Sequence, residues 1–181
     1  MKKGEIYEGI IEKVDFPNKG YVCIDDQKVL IKNGIPGQKV RFMIQKKRSG
    51  RAQGRILEVL EKSPFETRDA VCNNFPACGG CMYQTMSYEN QLVMKETQIR
   101  ELLEEALVRG GQVDKNGQAD FDWEGIHGSP IEFGYRNKME FSFGDEVKDG
   151  PLALGMHKKN TFHDIVNITD CQIVDNDYNS I

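Results

Sequence analysis

Three thiols fall within ten residues of this chain, in Cys72-Asn73-Asn74-Phe75-Pro76-Ala77-Cys78-Gly79-Gly80-Cys81. The spacing is C-x5-C-x2-C. Thiolates at this density are metal ligands rather than isolated core residues, and both zinc and iron–sulfur clusters use them. Gly79-Gly80 lets the backbone turn tightly around a bound group, and Pro76 stiffens the longer arm. A cubane cluster needs one ligand for each of four irons. Cys171, in Ile168-Thr169-Asp170-Cys171-Gln172-Ile173, is the natural fourth. Structural zinc usually joins two C-x2-C pairs, and only one exists here, so an iron–sulfur cluster is expected and zinc is the alternative. Cys23 alternates with Val22 and Ile24 in a strand-like run and reads as a small core residue. The three histidines do not cluster, which argues against a histidine metal site.

The elements that must position these thiols fall into two parts. Residues 5–61 read as five short strands: Glu5 to Asp15, Tyr21 to Asp25, Lys28 to Lys32, Lys39 to Lys46 and Gln53 to Leu60. In the fourth, Val40, Phe42 and Ile44 fall on one side, with Arg41, Met43 and Gln45 on the other. Five such strands in about sixty residues suit an OB-like barrel. Ser63-Pro64 breaks the chain before the cysteine loop. Ser87 then caps a helix running to Arg109, ended by Gly110-Gly111. Its stripe of Leu92, Ile99, Leu103, Ala106 and Leu107 is expected to pack into a core. A strand is expected over Ile131 to Phe143, with Arg136 and Lys138 on one side. Further strands are expected over Leu152 to His157 after Asp149-Gly150, and over Ile165 to Ile168. The chain ends as a further helix begins, which suggests a truncation.

The net charge of −4 conceals an asymmetry. Residues 1–62 carry 14 Lys and Arg against 8 Asp and Glu, whereas residues 63–181 carry 10 against 20. A basic barrel suits an anionic polymer such as RNA. Lys46, Lys47, Arg48 and Arg51 form a basic loop tip able to grip phosphates, although such a run can also be ordinary solvated surface. Arg136 and Lys138 are second candidates, with pairing to Glu140 the structural alternative. Lys158 and Lys159, after a strand, are the third. No signal peptide and no apolar run of roughly 18–20 residues is present, so the chain is expected to be cytoplasmic, away from membranes and monomeric.

Together these motifs resemble the RNA uracil-5-methyltransferase family, in its bacterial 23S rRNA branch. Residues 1–62 resemble a TRAM domain, including Gly34-Ile35-Pro36-Gly37-Gln38-Lys39-Val40. The C-x5-C-x2-C loop resembles the family's cluster motif, with Cys171 as its fourth ligand. Ser87 to Leu92, Gly134-Tyr135-Arg136-Asn137-Lys138, Leu154 to Lys159 and His163 to Cys171 match further segments. The resemblance implies a TRAM β-barrel over 1–62, followed by an α+β central domain over 63–181 with a [4Fe-4S] loop. It implies a parent enzyme that transfers a methyl group from S-adenosylmethionine to carbon 5 of uridine in 23S rRNA.

No Gly-rich cofactor loop follows a strand here, and neither the nucleophile nor the base of the family has a counterpart. The S-adenosylmethionine-binding domain is therefore expected to be absent. No catalytic residue is assigned, and the chain alone is expected to be inactive. A free-standing iron–sulfur RNA-binding module without catalysis is the competing reading. An electron-transfer protein fits less well, because ferredoxin cysteine runs are spaced differently.

Overall fold

The structure is a computed structural model and describes residues 1–48 and 50–180. It contains two compact units, each built from two stretches of chain. The first holds residues 1–66 and 87–128, the second residues 67–86 and 129–180. The division differs from a single boundary at 62/63, because the long helix falls within the barrel's unit.

In the first unit, β1 (Ile6–Ile10), β2 (Lys13–Asp15), β3 (Lys19–Ile24), β4 (Gln27–Lys32), β5 (Lys39–Arg48) and β6 (Arg51–Glu61) form one sheet in the order β1-β5-β6-β4-β3-β2. The expected first strand, Glu5 to Asp15, is split at Ile11. The Ile11 N–H donates to Gln38 O (2.9 Å), and the Glu12 N–H donates to Tyr21 O (3.0 Å). One stretch of chain thus pairs with β5 by its first half and β3 by its second. That switch brings the first and last strands of the sheet order together along one stretch of chain, as in a barrel. β4 and β6 run parallel over Val29–Ile31 and Ala52–Gly54; every other pair is antiparallel.

Alternation fills the interior. Val14, Val22, Val29, Ile31, Val40, Phe42 and Ile44 are buried with Ile11 and Ala52. At Gly54 a Cβ would stand 2.7 Å from both Ile31 and Phe42, so only glycine lets β6 cross there. Asp25 and Asp26 both take positive φ (47° and 60°), the signature of a two-residue type I′ hairpin turn. The same alternation that buries Val22 turns Cys23 outward opposite Lys28. Cys23 is exposed, not the core residue expected.

Helix α1 (Tyr88–Arg109) starts at Ser87, whose side chain accepts the Asn90 N–H, and stops at Gly110. Its buried positions are Met94 and Gln98, not the expected apolar stripe. Gln98 Nε2 donates to Val14 O (2.7 Å), and Lys13 pairs with Glu101 (2.8 Å). Polar side chains answer backbone and charge on β2, which rotates Ile99, Leu102, Leu103 and Val108 into solvent.

In the second unit, β7 (Ser142–Asp145), β8 (Leu152–His157) and β9 (Ile165–Asn167) form an antiparallel sheet with β8 in the centre, followed by the short helix α2 (Asn176–Asn179). The strand expected over Ile131 to Phe143 is present only from Ser142. Residues 131–141 make isolated contacts instead: the Gly134 N–H donates to Gln172 O, and the Arg136 N–H to Ile173 O. Gly134 takes a φ of 66°, which breaks an extended run. Among the described residues, no helix is long and apolar enough to cross a membrane.

Candidate metal-ligand pocket

The structure brings the four expected thiols to one pocket. Cys72, Cys78, Cys81 and Cys171 line a space of about 380 Å³, counting its open mouth, together with Met139, Met156, Ile168 and Ile173. All four are half-buried free thiols.

Local hydrogen bonds set the loop. Asn74 O accepts the Cys78 N–H (2.8 Å), Cys72 O accepts the Phe75 N–H (3.1 Å), and Cys78 Sγ accepts the Gly80 N–H (3.4 Å). The loop is then pinned to the end of β8. The Gly79 N–H donates to His157 O (2.9 Å), and the Lys159 N–H donates to Ala77 O (2.7 Å). A Cβ at Gly79 would lie 2.9 Å from His157 O, so the pinning itself requires glycine. Cys171 is held separately. Its N–H donates to Asn179 Oδ1 (2.8 Å), and Asn179 Nδ2 returns a bond to Cys171 O (3.2 Å). The one turn of α2 that closes the described chain therefore anchors the fourth thiol.

Two supporting residues carry no sequence signal. Gln84 is buried, and its Oε1 accepts the Cys72 N–H (3.0 Å) while its side chain also bonds the Cys81 thiol. Arg68 reaches Gln84 O (3.0 Å) and Glu132 (2.8 Å) and closes the base of the loop. Burial pushes the Cys78 and Cys81 thiols above their usual range, and the neighbouring cysteines push the same way. Arg136 and the bond from Gln84 partly offset this at Cys81.

Among the described residues, no three His, Cys, Asp or Glu side chains form a group able to hold a single metal ion. The thiols instead ring a pocket. A lone zinc would need four sulfurs about 2.3 Å from one point. A cubane cluster takes one thiolate at each of four irons and spreads its donors. The donor set is all-thiol, which fits such a cluster, and its remaining lining is chiefly apolar.

The basic residues divide. Lys46, Lys47, Arg48 and Arg51 lie on the paired arms of the β5–β6 hairpin rather than in a loose loop, and all are exposed. Lys47 donates to Met1 O (3.2 Å). None of the ion pairs among the described residues uses Lys46, Arg48 or Arg51. Arg136 is exposed and bonds Lys138 O, while Lys138 is the residue that pairs with Glu140 (3.0 Å). Lys158 makes a loose pair with Glu146 (3.9 Å). Lys159 is half-buried over the Phe75 ring (5.5 Å), and burial lowers its pKa against the pull of Cys81. Its ammonium serves the cysteine loop.

No family model matches the chain. Curated sequences do. An uncharacterized RNA methyltransferase of Caldanaerobacter subterraneus subsp. tengcongensis is 43% identical over 98% of the chain, and one of Clostridium tetani is 44% identical over 100%. A third, from Clostridium acetobutylicum, is 40% identical over the whole chain. The chain is thus similar, over nearly its whole length, to sequences named uncharacterized RNA methyltransferases. It spans 37% of the length of each of these relatives. Among solved structures, the Pyrococcus abyssi tRNA (uracil-54, C5)-methyltransferase in complex with S-adenosyl-L-homocysteine matches 93% of the chain and 33% of its own length. The TM-score is 0.53 and the identity 20%, a likeness of fold.

Proposed function

We propose that the chain is the RNA-binding and [4Fe-4S]-binding part of an S-adenosylmethionine-dependent RNA (uracil-5-)-methyltransferase that acts on 23S rRNA. The observation that carries the cluster reading is the convergence of Cys72, Cys78, Cys81 and Cys171 on one pocket, although Cys171 lies ninety residues after Cys81. Methyl transfer rests on relatives named RNA methyltransferases. The uracil-5 position is supported by the name of the structural neighbour, and its bound S-adenosyl-L-homocysteine suits S-adenosylmethionine as the parent's donor.

When bound, the cluster supplies a rigid cross-link rather than a reacting group. The chain's own residues do the rest. Gln84 and Arg68 hold the loop, Gly79 and the Lys159 backbone pin it to β8, and Asn179 aims Cys171. The hairpin arms bearing Lys46, Lys47, Arg48 and Arg51 meet phosphates. No catalytic nucleophile or base is assigned within these residues.

The decisive assay incubates the parent enzyme, of the relatives' length, with unmodified 23S rRNA or tRNA and labelled S-adenosylmethionine. The expected product is 5-methyluridine in the 23S rRNA. Methylation of tRNA alone would remove the rRNA assignment, and methyl groups on any other atom would remove the uracil-5 assignment.

A further inference from the structure

The turn between β8 and β9 does more than pin the cysteine loop. It closes on itself through the Lys158 N–H to Asp164 O bond (2.8 Å) and the Thr161 N–H to Lys158 O bond (3.1 Å), with Asn160 at a φ of 65°. At its tip stands Phe162, 83% exposed, more than any other large apolar side chain among the described residues. Its ring has aromatic company. The His163 imidazole lies 5.4 Å away edge-on, and the His157 imidazole lies 6.5 Å away at 35°.

We propose that Phe162, flanked by His157 and His163, is a stacking platform for an unpaired base of single-stranded RNA. The idea rests on the RNA reading above and adds a site to it. A lone exposed phenylalanine is unremarkable on a protein surface. Here two features act together. The ring is held on a turn fixed at both ends, so stacking costs little added order. Its ring neighbours are the His157 and His163 imidazoles, which widen the aromatic surface a base could meet. Every base has a π-face, so a platform of this kind adds affinity without reading sequence. The turn's two bonds to Ala77 and Gly79 also make its position depend on the cysteine loop.

The test uses the full 181-residue chain, prepared anaerobically, and a fluorescein-labelled oligouridylate of roughly 12 nucleotides. Phe162→Ala should weaken binding roughly 5- to 150-fold, the loss of one stacked base. Phe162→Tyr should bind within a few-fold of the parent sequence. The slope of log affinity against log salt should not change, because stacking releases no counterions. An abasic ribose-phosphate strand of the same length should not distinguish Phe162→Ala from the parent. Unchanged affinity of Phe162→Ala for oligouridylate overturns the platform while leaving RNA binding intact. An equal loss on the abasic strand also overturns it. Failure of the unaltered chain to bind any strand removes the RNA reading and the platform with it.

Discussion

Replacing Cys171 with serine is the sharpest test of the pocket. Two estimates give its scale. Cys81 and Cys171 are separated by ninety residues, and closing a loop of that length is worth about 4–5 kcal/mol in the chain-entropy picture. Structural zinc sites in small peptides contribute roughly 10–16 kcal/mol, about 2.5–4 kcal/mol per ligand if shared among four. Together they place the loss at about 2–5 kcal/mol. For a unit of this size each kcal/mol moves the melting temperature by about 4–8 °C, so Cys171→Ser should melt at least about 8 °C earlier. Iron should fall from about four per chain, with the brown colour lost. Cys23→Ser provides the control. Cys23 is exposed on β3, so its iron content and melting should match the parent. Iron and sulfide assays beside calorimetry decide the matter. Full iron in Cys171→Ser, or stoichiometric zinc in anaerobically prepared protein, would refute the reasoning.

Other outcomes follow from the same geometry. Neutralising Lys46, Lys47, Arg48 and Arg51 together should flatten the salt dependence of RNA binding by roughly 0.7 per lost phosphate contact; an unchanged slope would move the interface to Arg136, Lys138 and Lys158. Gly155→Ala would place a Cβ 1.9 Å from Val166 O, so it should force β8 and β9 apart at a cost of about 3 kcal/mol or more, read by chemical denaturation. The raised thiol pKa values of Cys78 and Cys81 keep the metal-free site protonated at neutral pH, so metal uptake should strengthen from about pH 6.5 to 8.5 as fewer protons must be displaced. With folded values above the unfolded one of about 8.5, the stability these thiols contribute is present below that pH and lost above it, so metal-free protein should melt earlier at about pH 9.5 than at 7.5. The chain alone, given unmodified rRNA and labelled S-adenosylmethionine, should incorporate no methyl group; turnover above background would contradict the proposed division of labour.

The sequence by itself determined whatever depends on neighbours along the chain. Alternation at Val40, Phe42 and Ile44 specified the buried face of β5, Ser87 and Gly110 bounded α1, and the close spacing of Cys72, Cys78 and Cys81 marked the loop. Each is a local rule of period, cap or reach. Tertiary structure decided the rest. Whether Cys23 or Val22 faces inward is a matter of strand phase, and a β-strand offers two faces that differ by a one-residue shift. Whether α1 buries its leucines or Gln98 depended on the Val14 carbonyl that Gln98 meets, eighty-four residues away. The strand pattern over 131–141 is interrupted at Gly134, whose φ of 66° leaves single bonds to Gln172 and Ile173 in place of a ladder. Gln84, Arg68 and Asn179 became site residues only because folding carried them to the thiols. Lys159, one of two adjacent lysines, was drawn onto Phe75 and the cysteine loop while the Lys158 ammonium faces Glu146. Such assignments rest on contacts between distant segments, and single-sequence periodicity holds no record of them.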